Sequence, residues 1–159
     1  MIRIGIIGPE STGKTTLAKE LAERHKGIYV PEYAREFVEK KGTTEVTWDE
    51  LCEIAKQQID QIERLEVRGE RLEVFFDTEL IVTKVWFDYA FGRWPEWLDE
   101  AIRTYPMDKY LLTYPDLPWI PDKARSNGSD EIRMELFERY KQEVEALGIP
   151  YEIIRHNTK

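Results

Sequence analysis

The sequence predicts a three-layer α/β fold, in which helices cover both faces of a parallel sheet. Three observations lead to this fold class. Five short apolar segments have the length and composition of buried strands, helical patterns separate them, and no two of them lie close enough in the chain to form a hairpin. With 159 residues, the chain is expected to form one domain spanning residues 1–159.

The strand segments share a short apolar run that ends at Gly, Pro or a charged residue. The first is rich in Ile and is followed by Gly-Pro, which a helix would not tolerate. The third changes abruptly from apolar residues to Asp77. In order, the predicted strands are Ile2–Ile7, 27–30, 71–77, Lys109–Thr113 and Tyr151–Ile154.

The helical segments between these strands share apolar residues three or four positions apart. The first starts at Lys14 and ends before Gly27. Thr47 and Glu50 have the spacing of a capping box, which predicts the start of a long helix with an apolar stripe. The other predicted helical segments are 32–41, 86–91, 95–103 and 132–147.

Composition excludes several classes of partner. The 31 acidic residues outnumber the 23 basic ones, so the net charge of −8 disfavours nucleic acid and acidic membranes. Cys52 is the only cysteine, and neither His25 nor His156 has metal-ligand spacing to others, which excludes an internal disulfide and a zinc site. The apolar run before Gly8 is too short for a signal peptide or a spanning helix, so we expect a cytoplasmic protein.

The strongest motif is Gly8-Pro9-Glu10-Ser11-Thr12-Gly13-Lys14-Thr15, which fits the P-loop pattern between a predicted strand and a predicted helix. Phosphate oxygens need converging N–H donors, and a glycine-rich loop at a helix start supplies them. We therefore expect a nucleoside triphosphate site in which Lys14 contacts the β- and γ-phosphates and the Thr15 hydroxyl binds Mg²⁺. The expected nucleotide contacts in the loop are Glu10, Ser11, Thr12, Gly13, Lys14 and Thr15.

Two carboxylates follow predicted strands at the edge where open parallel sheets bind ligands. Asp77 is a candidate Mg²⁺ ligand or a general base, and the alternative is a helix N-cap, since a helical segment follows it. Glu32 is the second candidate base, and its alternative is a solvated glutamate in a first helical turn. The sequence leaves open which carboxylate is the base.

A long segment at about 114–130 carries the remaining candidate groups. It predicts a lid in which Arg125, with Lys123 and Arg133 nearby, stabilises charge on a transferred phosphoryl group. The alternative is a basic connector that its prolines stiffen. Aromatic residues between Trp86 and Trp97 form a hydrophobic core or stack on a heterocycle, and the core is the preferred interpretation.

Several motifs together resemble the ribosylnicotinamide kinase domain of NadR-type proteins, which is a P-loop kinase related to nucleoside and nucleotide monophosphate kinases. The motifs are the P-loop, the segments 32–37 and 76–79, Trp119 with Asp122, Arg125-Ser126 and Gly128-Ser129. The resemblance implies a P-loop NTPase fold with a five-stranded sheet in the order 2-3-1-4-5. It also implies ATP on Gly13, Lys14, Thr15 and Thr16, a catalytic carboxylate at Asp77 and a lid arginine at Arg125.

We therefore expect an ATP- and Mg²⁺-dependent kinase that phosphorylates a nucleoside-like hydroxyl, with nicotinamide riboside as the first candidate acceptor. Another nucleoside or nucleotide acceptor is the nearest alternative. A switch that hydrolyses ATP or GTP without a small-molecule acceptor is the alternative from a different class. A kinase needs an acceptor pocket with a base within hydrogen-bond reach, whereas a switch does not.

Overall fold

Strands and helices alternate along the chain, as the computed structural model shows for residues 1–10, 12–42, 45–67, 72–116 and 130–156, excluding the side chains of residues 36, 38 and 39. The strands are β1 (Ile2–Ile7), β2 (Ile28–Val30), β3 (Glu73–Asp77), β4 (Lys109–Thr113) and β5 (Tyr151–Ile154). The helices are α1 (Lys14–Arg24), α2 (Tyr33–Lys41), α3 (Trp48–Val67), α4 (Leu80–Phe91), α5 (Glu96–Thr104) and α6 (Asp130–Leu147).

The strands form one parallel sheet in the order β2-β3-β1-β4-β5, which confirms the predicted order. β1 is central, and Gly5 pairs with Phe76 of β3 on one side and Tyr110 of β4 on the other. Because all strands run in the same direction, the carboxyl ends of β1, β2 and β3 meet at one edge of the sheet. The P-loop, Glu32 and Asp77 follow these three ends.

Side chains of the central strands alternate between two hydrophobic clusters. Ile6, Phe75 and Leu111 pack in a small cluster with Ala18 and Ala22 of α1. The next residue on each of these strands belongs to a larger cluster that includes side chains of α3, α4, α5 and α6. A strand exposes successive side chains on opposite faces, so both faces of the sheet are buried and the predicted three-layer architecture is confirmed.

The helix boundaries show where sequence periodicity succeeds and where it fails. The capping box is confirmed, because the Thr47 hydroxyl accepts the Glu50 amide at 3.2 Å and the Glu50 carboxylate accepts the Thr47 amide at 3.0 Å. Helix α4 begins at Leu80, before the predicted segment 86–91 and close to the start that the N-cap alternative for Asp77 implies. Its first residues are buried on all sides, so they show no polar stripe from which a 3.6-residue period could be recognised. Within the described residues, no helix has both the length and the apolar character that crossing a membrane requires.

Candidate active site

The loop between β1 and α1 has the backbone geometry of a phosphate-binding loop. Gly13 adopts a left-handed conformation, with φ of 81°, at the N-cap of α1, and no described side chain caps the helix there. The N–H groups of a first helical turn lack intrahelical partners and are the donors that bind phosphate. Thr16 is exposed at this helix start, whereas Ser11 lies outside the described residues.

Thr113, the buried last residue of β4, supports this loop. A Cβ atom added to Gly8 would lie 2.1 Å from the Thr113 Oγ1, so the loop packs directly on Thr113 and position 8 requires glycine. The Thr12 Oγ1 donates to the Pro9 carbonyl at 2.6 Å and lies 2.5 Å from the Thr113 Oγ1. Since the single Thr12 hydroxyl proton goes to Pro9, Thr113 is the donor in the second bond. Two consecutive hydrogen bonds therefore tie the loop to the end of β4.

The Lys14 side chain lies within the loop and does not extend into solvent. Its Nζ donates to the Pro9 carbonyl at 3.0 Å, and the residue is 8% exposed. This contact keeps the ammonium group beside the backbone that would surround a bound phosphate.

Asp77 lies at the end of β3 and is almost fully buried. Its Oδ2 accepts hydrogen bonds from the Thr15 hydroxyl at 2.6 Å and from the Tyr29 hydroxyl at 3.1 Å. The structure excludes the alternative that Asp77 is a helix N-cap, because Glu79 occupies the N-cap of α4 and accepts the Ile81 amide at 3.0 Å. The Asp77 Oδ1 is buried and has no hydrogen-bond partner among the residues that the structure describes.

The surroundings of Asp77 raise the pKa of its carboxyl above the ordinary value. Burial is the largest effect that raises the pKa of Asp77, and the negative charge of Glu32 raises it further. Hydrogen bonds from Thr15 and Tyr29 and the positive charge of Lys14 oppose the shift without reversing it. Burial, followed by the charge of Asp77, also raises the pKa of Tyr29, so the Tyr29 hydroxyl stays protonated and is the donor. Two acidic groups therefore share a buried edge of the sheet, an arrangement that a bound cation would stabilise.

Two cavities border Glu32, which is itself 6% exposed. The larger one has a volume of about 440 Å³ and is lined in part by Thr15, Tyr29, Arg35 and Asp77. The smaller one, of about 20 Å³, lies among Glu32, the P-loop and the first turns of α4. A cavity of the larger size suits a ligand such as a nucleoside, whereas the smaller suits one water-sized polar group. A further groove of about 740 Å³ between α4 and α6 borders none of the predicted site residues.

The donor set at Asp77 fits Mg²⁺. The Thr15 hydroxyl and the Asp77 carboxylate are adjacent hard oxygen donors, and the second carboxylate oxygen is left without a hydrogen bond from the described residues. No cluster of three or more His, Cys, Asp or Glu side chains suited to a metal occurs in the described ranges. Mg²⁺ does not require such a cluster, because it commonly binds one or two protein oxygens together with water and substrate phosphates.

The structure describes the predicted lid segment only at its two ends. Arg125 and Lys123 lie outside the described residues, as does most of the segment 114–130. Arg133 belongs to α6 and is fully buried, with its Nη1 3.4 Å from the Asp130 carboxylate. Among the aromatic residues, Phe87 is fully buried and Tyr89 is 48% exposed, so the preferred core interpretation holds for part of the group only.

Sequence reasoning missed two residues that the structure brings to the site. Tyr29 bonds to Asp77 across 48 positions of the chain, and Thr113 bonds to Thr12 across 101. The local signal was that Tyr29 and Thr113 each lie near the carboxyl end of a strand, at the ligand-binding edge of a parallel sheet. Such a signal identifies an edge but does not identify the partner.

Comparison with known proteins places the chain in a family. The family model described as "AAA domain" matches residues 3–159. The trifunctional NAD biosynthesis/regulator protein NadR of Escherichia coli K12 is 29% identical over 138 residues, which is 83% of this chain and 33% of that protein. The chain thus spans about a third of the length of this curated relative.

Two solved structures of NadR have the same fold as this chain. The complex with NAD and AMP-PNP superposes with a TM-score of 0.75 at 25% identity and covers 98% of this chain and 45% of that one. The complex with NR gives a TM-score of 0.76 at 24% identity with the same coverage of both chains. The chain belongs to the AAA domain family, and it resembles the ribosylnicotinamide kinase domain of NadR-type proteins.

Proposed function

We propose that this protein transfers the γ-phosphate of ATP to a hydroxyl group of a nucleoside, and that nicotinamide riboside is the acceptor. The observation that carries the proposal is the position of Asp77 and Glu32. Both carboxylates border a cavity of about 440 Å³ whose wall also contains the P-loop residue Thr15. A nucleotide switch needs no second cavity with a base beside the phosphate site, whereas a kinase does.

In this proposal the P-loop holds the triphosphate. The N–H groups at the start of α1 bind phosphate oxygens, and Lys14 moves from the Pro9 carbonyl to the β- and γ-phosphates. Thr15 and Asp77 would hold Mg²⁺, which supplies charge neutralisation on the phosphates when bound. Arg125 remains the predicted lid arginine.

The transfer step requires a proton acceptor, and we assign that role to Glu32. The Asp77 Oδ2 already accepts the Thr15 and Tyr29 hydroxyls, which suits a residue that organises the metal side of the site. Glu32 borders both cavities and takes the proton of the acceptor hydroxyl. The acceptor oxygen then forms a bond to the γ-phosphorus as the bond to the β–γ bridging oxygen breaks, and ADP leaves with that oxygen.

The acceptor assignment rests on the resemblance to NadR-type kinase domains and on the solved NadR complex with NR. The size of the larger cavity supports an acceptor of nucleoside dimensions. Another nucleoside or nucleotide is the alternative acceptor.

The direct test is phosphotransfer from ATP and Mg²⁺ to a panel of nucleosides that includes nicotinamide riboside, with ATP hydrolysis measured in the same reactions. We expect phosphorylation of nicotinamide riboside well above background hydrolysis. Phosphorylation of a different nucleoside would correct the acceptor and keep the kinase. Hydrolysis alone, unaffected by every acceptor, would contradict the proposal and favour a switch.

A further inference from the structure

The turn between β3 and α4 holds a strained residue. Thr78 has a φ of 73°, a left-handed conformation that is rare for β-branched side chains. At the other end of α4 the same conformation occurs at Gly92, with φ of 69°, where no Cβ opposes it. Glycine or asparagine would form the turn after Asp77 with less strain. The presence of threonine therefore calls for a reason that involves its side chain.

The Thr78 side chain is also unsatisfied. The residue is 7% exposed, and its Oγ1 is buried without a hydrogen-bond partner among the described ranges of the chain. A buried hydroxyl without a partner destabilises a folded protein. Backbone strain and an unsatisfied hydroxyl therefore coincide in a single side chain, and both penalties disappear if the residue is glycine.

The surroundings of Thr78 indicate the missing partner. Thr78 lines the small cavity of about 20 Å³ together with Gly8, Pro9, Lys14 and Glu32. Residues of the P-loop and the carboxylate that we assign as the base both line this cavity. A polar group that enters the cavity would lie beside both the phosphate-binding loop and the proton acceptor, as a phosphoryl group does during transfer.

We propose that the Thr78 hydroxyl donates a hydrogen bond to an oxygen of the phosphoryl group during its transfer, and that the strained turn is retained because it aims this hydroxyl. The inference rests on the proposed kinase function and adds a residue to its site. A donor that acts on charge developing in the transition state affects turnover more than substrate binding.

Three substitutions separate this role from a purely structural one. Thr78→Val keeps the shape and removes the hydroxyl, Thr78→Ser keeps the hydroxyl, and Thr78→Gly removes both the hydroxyl and the strain. Phosphotransfer, the Michaelis constant for ATP and the melting temperature are measured for each protein. Lys26→Gly is the matched control, because Lys26 is an exposed residue with a left-handed φ of 54° outside both site cavities.

We expect Thr78→Val to lower kcat roughly 10²-fold with little change in the Michaelis constant for ATP, and Thr78→Ser to retain most of the turnover. Thr78→Gly should melt a few degrees higher than the wild type and be as slow as Thr78→Val. Lys26→Gly should melt at the same or a higher temperature with unchanged turnover. The affinity for ADP with Mg²⁺, aluminium fluoride and the acceptor should fall in Thr78→Val, while the affinity for ADP alone should not.

Wild-type turnover in Thr78→Val or in Thr78→Gly would overturn the inference. So would a Thr78→Ser variant as slow as Thr78→Val, because the loss would then follow from packing and not from the hydroxyl. Absence of phosphotransfer by the wild-type protein itself would reject the proposed function, and that result is distinguishable from either outcome in the variants.

Discussion

Two groups of carboxylates in this molecule have opposite electrostatic surroundings. In the helix network, formed by Lys84, Asp88, Asp99, Arg139 and Glu143, each acid faces a cation. The Lys84 Nζ lies 2.9 Å from Asp99 and 2.8 Å from Glu143, and Arg139 bonds to Asp88 and Glu143. Burial alone would raise the pKa of both Asp99 and Glu143, but hydrogen bonds from Lys84 and its neighbours outweigh it, so both pKa values are lowered.

At the sheet edge the balance is reversed. Burial and the charge of Glu32 raise the pKa of Asp77 more than Lys14, Thr15 and Tyr29 lower it. The helix network joins α4, α5 and α6, and its own Lys84 and Arg139 pair with its carboxylates. The sheet edge holds two acidic side chains beside a phosphate-binding loop. We therefore expect bound Mg²⁺ and phosphate to supply the charges that neutralise this site. In this protein the ion-paired Asp99 and Glu143 have lowered pKa values, whereas Asp77 at the ligand-binding edge has a raised pKa.

The largest expected effects come from replacing each of two lysines, one in the P-loop and one in the helix network, with alanine. Lys14→Ala should weaken the binding of ATP with Mg²⁺ roughly 10²-fold or more, with a small change in melting temperature, because the Lys14 Nζ lies in the P-loop and donates to the Pro9 carbonyl. Lys84→Ala should leave nucleotide affinity unchanged and destabilise the protein by about 2–3 kcal/mol, since two acids would lose their shared cation. Calorimetry with ATP and thermal melting measure both. Weakened binding in Lys84→Ala alone would break the comparison.

Glu79 is a third kind of carboxylate, because it is buried with no cation beside it among the residues that the structure describes, and it lies outside the proposed site. Glu79 is buried, and burial raises its pKa to about 7, yet it caps α4 and does not border either site cavity. Because the folded protein holds this proton more tightly than the unfolded chain, stability is lost as pH rises from about 4.5 to about 7.

Glu79→Gln keeps an acceptor for the Ile81 amide and removes this titration. At about 1.4 kcal/mol for each pKa unit, the variant should gain on the order of 3 kcal/mol relative to the wild type between pH 4.5 and about pH 8. Denaturant unfolding across this pH range is the measurement. We expect nearly unchanged phosphotransfer. A loss of turnover would show that Glu79, like Asp77, contributes to the active site.

The smallest expected effect concerns the support of the P-loop. Thr113→Val keeps the shape of the side chain but removes the donor to Thr12, which should cost about 1–2 kcal/mol and weaken ATP binding roughly 10-fold. Thr104→Val is the matched control, because the exposed Thr104 hydroxyl donates to the Glu100 carbonyl of its own helix, away from the P-loop. Equal ATP affinities in the two variants would show that Thr113 does not support nucleotide binding.

These residues also show how far the sequence alone predicts the molecule. The P-loop was predictable because its strand, loop and helix are consecutive, so each local pattern supports the others. The sheet order followed from the family resemblance. The bonds of Tyr29 and Thr113 join distant parts of the chain, and their spacing in the sequence carries no information about them.

The carboxylates illustrate the same limit. The sequence placed Asp77 at the correct edge of the sheet but could not separate a helix cap from a ligand-binding role. The cap belongs to Glu79, two residues later, because Thr78 turns the chain before α4 begins. A left-handed threonine is not expected from propensity, so no local rule would have shifted the helix start.

The most direct test of the central claim compares Asp77→Asn with Asp99→Asn, measuring phosphotransfer and thermal melting on the same preparations. Asparagine retains the size of each side chain and removes the charge. We predict that Asp77→Asn loses roughly 10²-fold or more in turnover, with the melting temperature of the ligand-free protein unchanged or raised because one of two crowded acids is neutralised. Asp99→Asn should keep its turnover and melt a few degrees lower, because Lys84 loses a partner. Wild-type turnover in Asp77→Asn would contradict the account and leave Glu32 as the sole catalytic carboxylate.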